Sequence, residues 1–294
     1  MSEPITGVLT AIVTPFTQQG ELNTAQLRQQ VQRQIKAGNG VFCGGTNGEF
    51  FVLSEQEKIA IAEICVAESA GRKPVVGHIG EISTRDTIRL GKQVAQTGVN
   101  AVSAVTPWFV PLTQQELARH YLAVADALTV PLYLYNIPAR TGNTLAPETV
   151  RQLAEHPNIV GIKDSAGSYD SLSGFLHATQ DLPAFSVLNG PDSLIHRGFV
   201  EGCKACVSGL ANVAPTQINA IWETFRNGDI AASHHAQEAV TGLRTDLYKI
   251  AFSPAVVKEA LVLMGHDVGA SRYGVSFTPD QQQQIRQIVN QYLH

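Results

Sequence analysis

Ile159-Val160-Gly161-Ile162-Lys163-Asp164-Ser165 is the stretch on which the fold and the chemistry of this chain turn. Its opening is apolar and β-branched, the pattern of a parallel strand covered on both faces. Such a strand offers no place for a charge, yet it ends in a lysine. The other seven lysines (Lys36, Lys58, Lys73, Lys92, Lys204, Lys249 and Lys258) fall in helical stretches or beside loops. The ordinary account of Lys163 is a snorkelling or ion-paired cation, with Asp164 as the nearest acid. What weighs against that account is the place of this strand in the chain.

Working outward, short apolar runs recur at 8–15, 40–46, 74–79, 101–106, 130–136, 159–164, 185–190 and 205–211. Amphipathic stretches alternate with them at 24–37, 54–70, 83–97, 113–128, 146–156, 168–180, 192–201 and 214–227. Ser54 with Glu57 and Thr113 with Glu116 are capping boxes, and Gly38, Gly71, Gly98 and Gly228 close helices. Eight strands each followed by a helix predict a (β/α)8 TIM barrel over 1–228. An open doubly wound sheet is the competitor, but no GxGxxG follows the first strand. Further helices near 230–248, 254–264 and 279–292, two of them with Pro254 and Pro279 near their starts, predict a helical segment over 229–294 packed on the barrel.

The 294 residues are 44% hydrophobic and carry a net charge of −4. That balance gives no basic footprint for nucleic acid or an anionic membrane, so the expected partner is a small molecule. The opening MSEPITGVLTAIVTPF does not read as a signal peptide, and no apolar run is long enough for a membrane span. Four cysteines are too few for a disulfide framework, which fits a reducing cytoplasm.

In a TIM barrel the reacting groups stand at the C-terminal ends of strands, which is where Lys163 lies. A lysine at its reference pKa of about 10.4 is neutral roughly once in 2,500 at pH 7, and burial is the physical route to more free amine. A free amine condenses with a ketone, and the protonated imine is an electron sink for bonds at the adjacent carbon. No cofactor or metal is then called for. Gly161 is expected to leave room beneath the lysine stem. Strand five, Val130-Pro131-Leu132-Tyr133-Leu134-Tyr135-Asn136, brings Tyr135 to the same pocket as a proton carrier, with Tyr133 a layer deeper in the core.

After strand two, Gly45-Thr46-Asn47-Gly48-Glu49 offers backbone amides and a hydroxyl for a carboxylate, while Glu49 is expected to tie the loop down. Arg140, in the loop after strand five, is placed to clamp a second carboxylate, or is an ordinary surface arginine. Gly190 and Val207 complete the rim through backbone atoms. Cys203-Lys204-Ala205-Cys206 sits at a helix-to-strand junction without a second pair, and His234-His235 falls on an exposed helix face.

At Gly45-Thr46-Asn47-Gly48-Glu49, Tyr135-Asn136-Ile137-Pro138 and Gly161-Ile162-Lys163-Asp164 the chain resembles the dihydrodipicolinate synthase / N-acetylneuraminate lyase family, over nearly its whole length. The resemblance implies a Schiff-base lysine at Lys163, a general acid/base tyrosine at Tyr135, and a homotetramer built as a dimer of dimers. Two departures stand out. The synthase carries two adjacent threonines in the first motif, and the second is Asn47 here. It also donates a tyrosine across a subunit interface, where this chain has Phe109 in Thr106-Pro107-Trp108-Phe109. A phenyl ring relays no proton. Arg140, by contrast, matches the arginine that the synthase uses for its aldehyde substrate, and Glu49-Phe50-Phe51-Val52-Leu53-Ser54 is closer to the sugar-acid lyases.

The leading expectation is therefore a Schiff-base lyase or aldolase acting on pyruvate or a 2-oxo deoxy sugar acid. A 4-hydroxy-tetrahydrodipicolinate synthase joining pyruvate to aspartate semialdehyde is the alternative, and a deoxy-sugar-acid dehydratase is a third. From another class stands a non-catalytic oligomeric barrel that binds 2-oxo acids.

Overall fold

In the computed structural model, which describes residues 4–293, eight parallel strands follow one another in chain order around a closed barrel. Met1, Ser2, Glu3 and His294, at the ends of the segments expected from the sequence, lie outside the described residues. The strands are β1 (Gly7–Ala11), β2 (Gly40–Cys43), β3 (Val75–His78), β4 (Ala101–Val105), β5 (Leu132–Asn136), β6 (Ile159–Asp164), β7 (Ser186–Asn189) and β8 (Ala205–Ser208). Every strand residue except Val160 is buried, as expected for parallel strands with both faces covered. The (β/α)8 class read from the sequence is what the strands form.

Contacts divide the chain into two compact units: Met1–Gly7 with Val76–Val207, and Val8–Val75 with Ser208–His294. The first unit holds α3 (Thr84–Gln96), α4 (Gln114–Ala127), α5 (Pro138–Thr141), α6 (Pro147–Leu153), α7 (Tyr169–Ala178) and α8 (Ile195–Val200). Ser83 caps α3 by accepting from the Asp86 amide, and the Thr113–Glu116 capping box opens α4. The registers of β4 to β7 align Val105 with Tyr135, Tyr135 with Lys163, and Lys163 with Leu188. Side chains in register on parallel neighbours leave the sheet on the same face. Packing puts Tyr133 where the sequence expected it, but the room above Gly161 belongs to Tyr133 and not to the lysine. A β-carbon on Gly161 would strike the Tyr133 ring and the Ser186 carbonyl. Burial pushes the Tyr133 phenol up to about 12.

The second unit holds α1 (Thr24–Lys36), α2 (Glu55–Ser69), α9 (Pro215–Arg226), α10 (Ile230–Tyr248), α11 (Ser253–Leu263) and α12 (Pro279–Leu293). The Ser54–Glu57 capping box opens α2. The Glu57 carboxylate also takes a two-pronged contact from Arg272, at 2.6 and 2.9 Å. That guanidinium holds Glu57 below the usual carboxylate range. The capped start of α2 is thereby tied to the segment between α11 and α12.

Candidate active site

Register and burial together bring two of the expected groups into contact. Lys163 is 4% exposed, and its Nζ lies 3.8 Å from the centre of the Tyr135 ring. A cation over an aromatic face is held electrostatically by the ring quadrupole. The edge of the His78 ring meets the same phenol, centre to centre at 5.8 Å and nearly perpendicular. His78 ends β3 and is buried. Sequence reasoning passed over it, because a histidine closing a short apolar strand has no ligand spacing to flag it. The signal was there in its position at a strand's C-terminal end, the same signal that singled out Lys163.

Asp164 does not serve as the lysine's counter-ion. Adjacent strand residues point to opposite faces, and Asp164 Oδ1 accepts from Asn136 Nδ2 at 2.8 Å and from the Ala166 amide at 3.2 Å. Burial raises its carboxyl above the ordinary range, with the Asn136 bond opposing. Asn136 in turn accepts from the Leu145 amide at 3.1 Å. The pair thus fastens the ends of β5 and β6 and sets the facing of Tyr135 and Lys163. Gly190, at the end of β7, has no room for a side chain, since a β-carbon would collide with Ser165 Oγ and the Asp164 carbonyl. Val207 is buried within β8.

Arg140 is exposed on α5, a short helix in what the sequence presented only as a loop. Pro138 opens it, and Gly142 closes it at φ 75°. Thr106 donates to Thr141 at 2.8 Å, and Asn143 reaches back across the segment after β4. Its amide donates to the carbonyls of Pro107 and Val110 at 2.8 and 2.9 Å, and its oxygen accepts from the Leu112 amide at 2.8 Å. Between these anchors Phe109 stands 91% exposed at φ 77°, a left-handed conformation that costs a bulky residue about 1 kcal/mol or more.

In the second unit, Gly45-Thr46-Asn47-Gly48 forms a tight loop behind β2. The Glu49 amide donates to the Thr46 carbonyl at 3.0 Å, the Phe50 amide to the Gly45 carbonyl at 3.3 Å, and the Thr14 hydroxyl to the Gly48 carbonyl at 2.7 Å. Gly45 lies against the Phe42 ring, 2.5 Å from where its β-carbon would stand. Glu49 ties the loop down, as its place in the sequence suggested. It sits at φ 58° and is fully buried. Its carboxylate accepts from Lys258 Nζ at 2.8 Å, Ser271 Oγ at 3.1 Å and the Arg272 amide at 3.0 Å. Lys258, read from the sequence as one more helix lysine, is itself buried, with Nζ 4.0 Å from the Phe16 ring centre. Burial lowers its pKa to about 8, although the Glu49 charge pulls the other way.

A closed (β/α)8 barrel with a buried lysine and a tyrosine side by side at adjacent strand ends defines a class of enzyme scaffold, and comparison with known proteins narrows it. The model of the dihydrodipicolinate synthetase family matches residues 4–292. The 4-hydroxy-tetrahydrodipicolinate synthase of Bacillus velezensis is 35% identical over 266 residues, covering 90% of this chain and 91% of that protein. A DapA-like lyase of Halobacterium salinarum is 36% identical over 267 residues, covering 90% of this chain and 86% of its own. Among solved structures, YagE of E. coli K12, a prophage protein of the dihydrodipicolinic acid synthase family in complex with pyruvate, superposes with a TM-score of 0.93. It is 29% identical and covers 98% of each chain. The chain belongs to the dihydrodipicolinate synthetase family and is a lyase-type enzyme. Among the described residues no helix is long and apolar enough to cross a membrane.

Proposed function

We propose that Lys163 forms a Schiff base with the C2 carbonyl of pyruvate or a longer 2-oxo acid, and that the enzyme makes or breaks a bond at or next to C3. The observation that carries this reading is the buried amine of Lys163 over the face of Tyr135 at the end of β6. Attack of the amine on C2 and loss of water give the imine. The Tyr135 phenol gives its proton to the hydroxide that leaves in imine formation, so that in the cleavage direction the resulting phenolate takes the proton of the C4 hydroxyl, the C3–C4 bond breaks, and its electron pair moves into the enamine as the aldehyde leaves. Protonation at C3 and hydrolysis then release pyruvate and the free lysine.

The same reading gives the substrate carboxylate to Thr46 and the amides of its loop, with Gly45, Asn47, Gly190 and Val207 as further lining, and a distal carboxylate to Arg140. In barrels of this kind the reacting groups come from the C-terminal ends of several strands and the loops that follow them, which supports this reading. YagE, solved with pyruvate, supports pyruvate as the shared partner. Condensation with aspartate semialdehyde is the second reading, favoured by Arg140 and by the synthase named among the relatives. The exposed, strained Phe109 is read as a contact to a second copy within a homotetramer. The four buried free cysteines suit a reducing cytoplasm.

Borohydride reduction in the presence of pyruvate, followed by intact-mass and peptide mapping, tests the central step. A stable pyruvyl adduct on Lys163 is expected. An unmodified Lys163 with pyruvate and with longer 2-oxo acids would move the non-catalytic binding barrel ahead.

A further inference from the structure

Three side chains stand in register at the ends of β5, β6 and β7, on the face of the strands turned away from Lys163: Asn136 beside Asp164, and Asp164 beside Asn189. All three are at most 1% exposed. They carry a ladder of hydrogen bonds across the strand ends. The Leu145 amide donates to Asn136 Oδ1 at 3.1 Å, and Asn136 Nδ2 donates to Asp164 Oδ1 at 2.8 Å. At the far end Asn189 Nδ2 donates to the Pro191 carbonyl at 3.0 Å. One link is missing. Asp164 Oδ2 and Asn189 Oδ1 are both shut off from water, and neither has a hydrogen-bond partner among the described residues.

Two empty acceptors on neighbouring strands forfeit two hydrogen bonds that water would have made, and one hydrogen placed between them restores both. Asn189 cannot supply it. Turning its carboxamide over would set Oδ1 against the Pro191 carbonyl. Asp164 can, because a protonated carboxyl turns Oδ2 from an acceptor into a donor and leaves Oδ1 accepting from Asn136 and the Ala166 amide. The surroundings favour that form. Burial raises the carboxyl above its ordinary range, against the opposing pull of Asn136, the Ser171 hydroxyl of α7 and the Ala166 amide. The titratable neighbour is the Cys203 thiol, which burial pushes up to about 12, so it is uncharged at neutral pH. A neutral acid also suits the chemistry next door. A carboxylate one residue from Lys163 would favour the ammonium, whereas attack on a carbonyl needs the free amine.

We infer that Asp164 stands in the folded enzyme as a neutral carboxylic acid whose Oδ2–H donates to Asn189 Oδ1, and that Asp164 and Asn189 are thereby positioning residues for Lys163. The completed ladder joins the ends of three consecutive strands from Leu145 to Pro191, alongside the backbone bonds from the Ser165 amide to the Asn136 carbonyl and from the Gly190 amide to the Asp164 carbonyl, each 2.8 Å. The positioning role rests on Lys163 acting as the Schiff-base amine. The protonation of Asp164 does not.

The test compares the wild type with Asp164→Asn, which copies the shape and hydrogen bonding of the protonated acid, and with Asp164→Ala, which removes both. The infrared difference between wild type and Asp164→Asn at pH 7 should contain the carbonyl stretch of a carboxylic acid, contributed by the wild type. In denaturant, Asp164→Asn should be at least as stable as the wild type at pH 7. Its advantage should fade as the pH falls through about 4, where the unfolded wild-type chain takes up the same proton. No acid band, together with an Asp164→Asn variant less stable than the wild type at pH 7, would overturn the neutral acid and leave a carboxylate bridged to Asn189 by a water or a cation. Borohydride trapping of pyruvate on Lys163, at saturating pyruvate, reads the positioning role. Its rate should fall about tenfold in Asp164→Ala, the worth of one neutral hydrogen bond, and be restored in Asp164→Asn. Equal rates in wild type and Asp164→Ala would end the positioning role, whereas absence of the adduct in the wild type would end the Schiff-base reading, on which the infrared and unfolding results do not depend.

Discussion

Three lysines of this chain are buried, Lys58, Lys163 and Lys258, and two of them hold their nitrogen about 4 Å from the centre of an aromatic ring: Lys163 over Tyr135, and Lys258 over Phe16. Burial and a ring face are therefore not what separates an amine fit for chemistry from one fit for structure. The difference lies in what else each can reach. Lys258 is committed to the Glu49 carboxylate and the Ala270 carbonyl, at 2.8 and 3.1 Å, and the ring beside it is an inert phenyl. The ring beneath Lys163 carries a hydroxyl, and the residue ends a barrel strand rather than sitting inside a helix. A lowered pKa alone would have nominated Lys258, whose burial brings it to about 8. Perturbed groups mark working sites only when geometry gives them something to work on.

The largest effect that could break this contrast is on turnover. Lys163→Ala is expected to lower kcat by about 10⁴-fold or more, the scale of losing a covalent nucleophile. Its unfolding midpoint in urea should stay near that of the wild type, because Asp164, not Lys163, fastens β6 to β5. Retained turnover in that variant would put Lys163 in the structural category with Lys258.

The mirror experiment is on stability. Lys258→Met leaves the Glu49 carboxylate buried without its cation, a change that costs about 3–5 kcal/mol in other buried pairs. Adding Glu49→Gln removes the stranded charge and should recover most of the loss in a denaturant titration. Trapping of pyruvate on Lys163 should persist in the folded double variant. If Lys258→Met were as stable as the wild type, the pair would contribute nothing to holding the loop behind β2.

The unequal legibility of these lysines has a physical cause. Lys163 interrupts an apolar strand pattern, and period-2 alternation with a known functional end of the barrel makes such an interruption informative. The capping boxes at Ser54 and Thr113, and the loop glycines, were equally plain, because local chemistry alone determines them. Lys258 lies in a helix, where lysines ordinarily snorkel. Only the burial of Pro254, Ala255, Val256, Val257, Ala260 and Leu261 around it shows that α11 has little polar face to offer. Its partner, Glu49, is more than two hundred residues earlier in the chain, a separation that no local pattern spans. His78 and Asn143 were hidden for the same reason. Each acts through contacts with a different strand or loop, and neither breaks the pattern of its own segment.

A buried histidine sharpens the contrast at smaller scale. His120, on α4, is 5% exposed, and its Nδ1 lies 2.9 Å from Thr84 Oγ1. Burial lowers its pKa from 6.5 to about 4. Between those values the unfolded chain binds a proton that the folded chain refuses. The stability linked to His120 is therefore complete above pH 6.5 and drains away as the pH falls through 4. The loss across that window amounts to about 3 kcal/mol for this one group. His120→Asn keeps a polar atom within reach of Thr84 and removes the titration, so its unfolding free energy should fall less steeply between pH 6.5 and 4 than that of the wild type. Parallel acid limbs in the two proteins would mean that His120 is charged in the folded state. A flattened limb would add His120 to Lys258 as a base whose pKa burial lowers, and would leave the strand-end position as the feature by which Lys163 is proposed to differ from both.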